Sequence, residues 1–343
     1  MEVTRRISLV VSLAAAVAFL VLPGCYRETS EVQKTPLSIP DPTKRTGQKT
    51  IAILMPLRAQ TQATRKALMT ELSGDFNVET IPVEADMSID ELDAMLTHVR
   101  PACIVVMDNR TVRLYRELQQ SARERKFPPA VILMTSFLDH VIGTLRDATG
   151  IAYEVPAVTG FVAVREVAEK RVQRVGVIHR AIFADLIATQ TRLAAGEKLT
   201  IVAAEVDDEP SLNDIDDALY SLIHERRVDA LWVLNDNVLL DHDALTEIWL
   251  PRLRDKPVPV VVGVSALVHP EVHFGTLAVL PDHERLGSQA ANMIFDIAEN
   301  DWKLEERDIE LPLSVRTVVD VRQLRDDFGL RPGALEKMDE ALE

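Results

Sequence analysis

From Thr50 onward, short apolar runs alternate with amphipathic stretches. The runs are TIAILM (50–55), NVETIPV (77–83), ACIVVM (102–107) and AVILM (130–134), then RVGVIH (174–179), LTIVAAEV (199–206), DALWVL (229–234) and VPVVVGV (258–264). Helical spacing fills the intervals at 60–73, 88–99, 111–126, 183–195, 211–226 and 239–253, and again at 283–300. Ser88 with Glu91 three residues on is a capping box, which marks one helix start. Val, Ile and Leu runs without polar alternation are what strands buried on both faces look like. Their regular exchange with helices predicts α/β architecture with parallel sheets. Two such series, divided near Pro156, predict two doubly wound, Rossmann-like lobes.

Ahead of Thr50 the pattern changes. Arg5 and Arg6 precede a 16-residue apolar run, Ile7 to Leu22, shorter than the ~20 residues that span hydrocarbon. A basic start and an apolar middle describe a secretory signal peptide. Leu22-Pro23-Gly24-Cys25 resembles the lipobox of bacterial lipoproteins, although proline is unusual two residues before the cysteine. The expectation is a lipoprotein signal peptide over 1–24, lipidation at Cys25 and attachment to a membrane by acyl chains, each buried CH₂ adding ~0.8 kcal/mol. The polar stretch that follows carries Pro36, Pro40 and Pro42 and no periodicity, so 25–49 reads as a flexible linker. The expected location is the cell envelope, exported and lipid-anchored, on the periplasmic side of an inner or outer membrane or on the cell surface.

Charge and chemistry narrow the partners. The formal charge is −15, and loss of residues 1–24 removes Glu2, Arg5 and Arg6, a net +1, leaving −16. Such a surface repels phosphate backbones, so no nucleic acid partner is expected. Cys103, inside an apolar run, reads as a small buried hydrophobe. His269 and His273 flank a proline and lack a third ligand, so no metal is expected. Neither GxGxxG nor GxxxxGK[ST] follows any run, and Ser136 and Ser265 lack a GxSxG context. These absences predict no cofactor and no enzyme activity.

In open parallel sheets, ligands sit beyond the carboxyl ends of the strands. Those ends read Met55-Pro56-Leu57-Arg58, Met107-Asp108-Asn109-Arg110, Met134-Thr135-Ser136, His179-Arg180, Asn235-Asp236-Asn237 and Val264-Ser265. Asp236 either pairs with the ammonium of a solute or caps the next helix, and Asn237 beside it either bonds the solute or caps. Arg110 either clamps a carboxylate bidentately or stays solvated, with Asn109 as its neighbour. Thr135 and Ser136 offer hydroxyls to a solute or to a helix cap. Ser265 offers another. Tyr153 either stacks on a flat ligand or packs where the two series divide.

The segments DALWVLNDN, GVSALV, LAVLPDHERLGSQAANMIFDIAEND and LPLSVRTVVDVRQLRDDFGLRP resemble the second half of the substrate-binding proteins of ABC importers. That family includes lipoproteins that bind tryptophan and other aromatic amino acids. The resemblance spans roughly Ile51 to Leu330 and is most specific from Val228 onward. It implies the type I periplasmic-binding fold, with three hinge crossings, a small polar or aromatic solute such as an amino acid held between the lobes, an ABC permease as partner, and a monomer. Placed on this chain, the crossings fall near Glu154–Ala157, Ala278–Pro281 and Asp308–Pro312. The first lobe is then 50–155 plus 281–308, the second 156–280 plus 309–330, and 331–343 a tail. The first half departs from the family, with LRAQTQATRKAL where a histidine-proline element is usual and RDATGIAYEVPAVTGF at a normally glycine-rich crossing. That departure keeps a second class open: a sensory or regulatory envelope lipoprotein of the same fold, with a protein partner and no transporter.

Overall fold

The computed structural model describes residues 47–304 and 308–343. The signal peptide, Cys25 and nearly all of the linker lie outside the described residues. Strands β1 (Thr50–Met55), β2 (Asn77–Pro82), β3 (Cys103–Met107), β4 (Ala130–Leu133) and β5 (Ala148–Gly150) form a parallel sheet in the order β2-β1-β3-β4-β5. Successive residues of a strand point to opposite faces, and here both faces are covered. Ile51, Ile53, Met55, Val105 and Met107 enter one core with Leu68, Leu72 and Ile294. Ala52, Leu54, Ile104 and Val106 enter another with Leu92, Leu96 and Tyr115. This is why the runs carry no polar alternation.

The helix His283–Glu299 shares the first of these cores with the helix Ala59–Leu72. They meet at Gly287, where a Cβ would lie 2.4 Å from the Thr64 carbonyl oxygen and 2.9 Å from Ala67 Cβ. At the far end of the same core Phe76 packs on Phe295 and on Trp302, with ring centroids 5.4 and 5.6 Å apart. The capping box forms: the Ser88 N–H donates to the Glu91 carboxylate at 2.8 Å, and the Glu91 N–H to Ser88 Oγ at 3.3 Å.

The second sheet holds β6 (Arg174–Arg180), β7 (Thr200–Val206), β8 (Ala230–Trp232), β9 (Val260–Val262), β10 (Leu277–Pro281), β11 (Val315–Asp320) and β12 (Glu340–Leu342), in the order β12-β11-β10-β9-β8-β6-β7. Its first five strands repeat the order and the parallel sense of the first sheet. The N–H of Asp320 donates to Thr276 and that of Asp282 to Ser314, so β11 runs back along β10. Val260, Val262, Ala278 and Leu280 face a core containing Trp249 and Phe274. Val261 and Val279 face the other way, against Gly160 of the helix Ala157–Val167. Trp232 meets Phe161 of that helix edge-on at 5.7 Å.

The described residues divide into two compact units. The first holds residues up to Glu154 together with Pro281–Val315; the second holds Val155–Leu280 with Arg316–Glu343. Two expectations are corrected. Residues 309–315 stay with the first unit, where Glu310 bridges Ile151, and the chain changes unit only after Val315. Residues 331–343 are not a tail, because β12 pairs in parallel with β11. The helix expected at 111–126 spans Asn109–Ser121, and those expected at 211–226 and 239–253 contain wide π turns at Ser221–Glu225 and Ala244–Trp249. Among the described residues no helix is long and apolar enough to cross a membrane.

Candidate functional site

In each unit the strand order reverses once, between β1 and β3 and between β6 and β8. Open α/β sheets bind ligands at such a switch point, outside the carboxyl ends of the strands. Both points carry the same small element. In the first unit Arg58, just past β1, reaches Asp108, just past β3, with Nη1 to Oδ2 at 3.4 Å. In the second, Arg180 at the end of β6 grips Asp236 beyond β8 with two bonds, Nε to Oδ2 at 2.6 Å and Nη2 to Oδ1 at 3.1 Å. Each aspartate also accepts an N–H two residues on: Asp108 from Arg110 at 2.9 Å, Asp236 from Val238 at 3.1 Å. Each is followed by an exposed asparagine, Asn109 or Asn237.

The local folding follows from side-chain type. Short Asp side chains bond their own backbone two residues on and so hold a tight turn. Asp108 does this at φ 82° and ψ 143°, positive-φ backbone outside the left-handed helical well and strained for any residue with a Cβ. In the second unit Asn235 sits against Gly263, where a Cβ would lie 2.6 Å from Asn235 Nδ2. Glycine there leaves room for the amide. The Oδ1 of Asn235 is buried with no hydrogen-bond partner among the described residues, an uncommon state for a buried acceptor.

No family model matches the chain, and no curated protein sequence matches it. Solved structures do. A ligand-free, open substrate binding protein with adhesive properties from Clostridium difficile is 14% identical, covering 86% of this chain and 99% of its own, at TM-score 0.63. An ABC domain in complex with L-Trp from Streptococcus pneumoniae is 15% identical, covering 86% and 100%, at TM-score 0.54. An arabinose binding protein from Geobacillus stearothermophilus is 10% identical, covering 82% and 100%, at TM-score 0.50. The chain has the type I periplasmic-binding fold. At these identities the likeness carries the fold alone, since one fold hosts many ligands.

On this type I periplasmic-binding scaffold the predicted site residues fall into distinct situations. Asp236 is buried, and its carboxylate is engaged by Arg180 and by the turn N–H of Val238. Arg110 is half-buried, and its guanidinium makes no hydrogen bond or ion pair among the described residues. Asn109 ties two strand ends together by accepting the Ser136 N–H at 2.8 Å. Asn237 is exposed, while Ser136 and Ser265 are half-buried. Thr135 is 1% exposed and its hydroxyl donates inward to the Leu133 carbonyl at 3.3 Å. Tyr153 stacks on His283 with 13° between the rings, and its hydroxyl lies 3.0 Å from His283 Nε2.

Arg180, Arg58 and Asn235 were legible as strand-end residues, but their partners were not. Nothing in the sequence marks Glu154 as more than the start of a crossing. Its Oε1 accepts the Phe137 N–H at 2.9 Å, and burial pushes its carboxyl up to about 7 against the pull of that hydrogen bond. Burial likewise pushes the Cys103 thiol up to about 12, so it is unreactive at neutral pH. Among the described residues no three His, Cys, Asp or Glu side chains gather to hold a metal.

Proposed function

We propose that this chain is an extracytoplasmic solute-binding protein of an ABC importer, anchored to a membrane through lipid on Cys25 and acting as a monomer. The observation that carries it is the repeated Arg/Asp-Asn element at the switch point of both sheets, on a fold shared with substrate-binding proteins. The solute contacts we assign are Arg110, Asn109 and Ser136 in the first unit and Asn235, Asn237 and Ser265 in the second. Asp236 and Asp108 act through the turns they hold. No chemical step is assigned to any of these groups.

The test is a thermal-shift screen of the full-length protein against amino acids, carboxylic acids, sugars and nucleobases. A solute at 100 times its Kd adds ~2.7 kcal/mol of stability. If no class of small molecule raises the melting temperature, solute capture is wrong. Cys25→Ser should leave the protein out of the membrane fraction or unprocessed. A wild-type chain that keeps residues before Cys25 and carries no acyl group would refute the anchor.

A second reading, a regulatory lipoprotein with a protein partner, draws on Leu311 and Leu313, which are 56% and 83% exposed in a stretch of three residues. Replacing both with serine should abolish a pull-down of that partner and leave solute-induced melting shifts unchanged.

A further inference from the structure

We propose that the solute carries a protonated amine on a hydrocarbon body, and that the second unit receives this amine at Asn235. The proposal rests on the solute-binding reading of the strand-end surfaces and concerns the second unit alone.

The fold itself does not require an amide at this position. The pairs Arg58–Asp108 and Arg180–Asp236 mark corresponding places in the two units, so Asn235 corresponds to Met107, the residue just before Asp108. Met107 is apolar and fully buried. The neighbouring strand ends differ in step. Met134 follows β4, whereas Gly263 follows β9 and clears the space that the Asn235 amide fills. In that space Oδ1 is buried without a partner, and Nδ2 makes no hydrogen bond either among the described residues. An unpaired buried acceptor costs stability. Its place at a switch point assigns its missing bond to a ligand. Because neither end of the amide is tied, a half-turn brings the oxygen toward the surface with no bond broken.

A census of donors and acceptors gives the chemistry of that ligand. Arg180, the guanidinium at this switch point, is spent: Nε and Nη2 go to Asp236, and Nη1 goes to the Asp208 carbonyl at 3.0 Å. The exposed Asp207 and Glu209 beyond β7 add negative charge at the same end of the sheet, which draws cations. An ammonium offers donors only, and its bond to Oδ1 is charge-assisted. A hydroxyl or a carboxylate would bring further acceptors to a surface that already has a surplus. Ile182 and Val238, just past β6 and β8, are 45% and 39% exposed and supply hydrocarbon for the rest of the solute.

Calorimetry on the full-length protein decides this with pairs in which a hydroxyl replaces the ammonium. We choose phenethylamine against 2-phenylethanol and 3-methylbutylamine against 3-methylbutanol for free amines, and leucine against 2-hydroxy-4-methylpentanoate for amino acids. In at least one pair the amine should bind about tenfold or more tightly than its alcohol. Asn235→Leu keeps the branched outline without polar atoms. It should weaken that amine by about tenfold or more, yet melt without ligand at or above the wild-type temperature, because an unpaired acceptor has gone. Asn235→Asp keeps an oxygen and should bind the amine at least as tightly as wild type. Alcohols that bind as well as the amines overturn the proposal and leave solute binding standing. So does an amine that binds Asn235→Leu undiminished, or an Asn235→Asp protein that melts cooperatively and no longer binds the amine. If neither these compounds nor any in the wider screen bind, the proposal and the solute-binding reading fall together.

Discussion

The value of an ion pair depends on how much water still reaches it, and the two Arg–Asp pairs differ in this. Side-chain exposure is 65% and 24% for Arg58 and Asp108, but 15% and 3% for Arg180 and Asp236. An exposed pair contributes about 0–1 kcal/mol, whereas removing one partner of a buried pair costs about 3–5 kcal/mol because a charge is stranded. Arg180→Ala should therefore lower the urea midpoint strongly and Arg58→Ala hardly at all. Equal midpoints would show that the buried pair is better hydrated than its geometry implies. Glu154 makes a prediction of opposite sign with pH. With its carboxyl raised to about 7 from 4.5, the native state holds a proton that the unfolded chain has released. Its contribution is fully present below about pH 4.5 and is lost as pH rises through 7, a change of about 1–3 kcal/mol. Glu154→Gln keeps an acceptor for Phe137 and should flatten that slope, which parallel melts of both proteins at pH 5 and 8 would reveal. The Asp-Asn dipeptides at 108 and 236 stand plainly in the sequence. Their arginines lie 50 and 56 residues away, and only the strand order brings them together. Nor does the name threonine reveal that the hydroxyl of Thr135 turns inward.

Among the elements, those with a clear apolar run or helical period were legible and the others were not. Mostly apolar runs of five to eight residues between amphipathic helices leave few alternatives, and the Ser88–Glu91 cap could be placed to the residue. β5 has three residues, too few for any period to show. The helix Ala157–Val167, AVTGFVAVREV, combines glycine with β-branched residues that disfavour helices in isolation. It forms because Gly160 lets its backbone settle on Val261 and Val279. Packing overrules propensity there. Gly287 works the same way between the helices Ala59–Leu72 and His283–Glu299. A methyl group at that point meets backbone, which cannot swing aside, so the helices must separate. Gly287→Ala should destabilise by about 1–3 kcal/mol, despite alanine's better helix propensity. A variant as stable as wild type in denaturant would mean that the contact is slack.

At the scale of the molecule, each unit is assembled from separated pieces of chain. Residues 155–280 lack β11 and β12, so expressed alone they would leave the edge of β10 bare and part of their core open. That fragment should unfold without a cooperative transition and give a collapsed NMR spectrum. Sharp dispersion and a single steep transition would show that the last two strands are dispensable. The three tryptophans are shared unequally between the units. Trp302 stands against Phe76 in the first, while Trp232 and the buried Trp249, whose indole N–H donates to Leu239, belong to the second. Two of the three ultraviolet emitters therefore lie in the second unit and one in the first. Trp302→Phe would silence the first unit optically, and subtracting its spectrum from that of wild type would isolate a single emitter. Heating the two proteins side by side would then show whether both halves lose their colour at one temperature or at two.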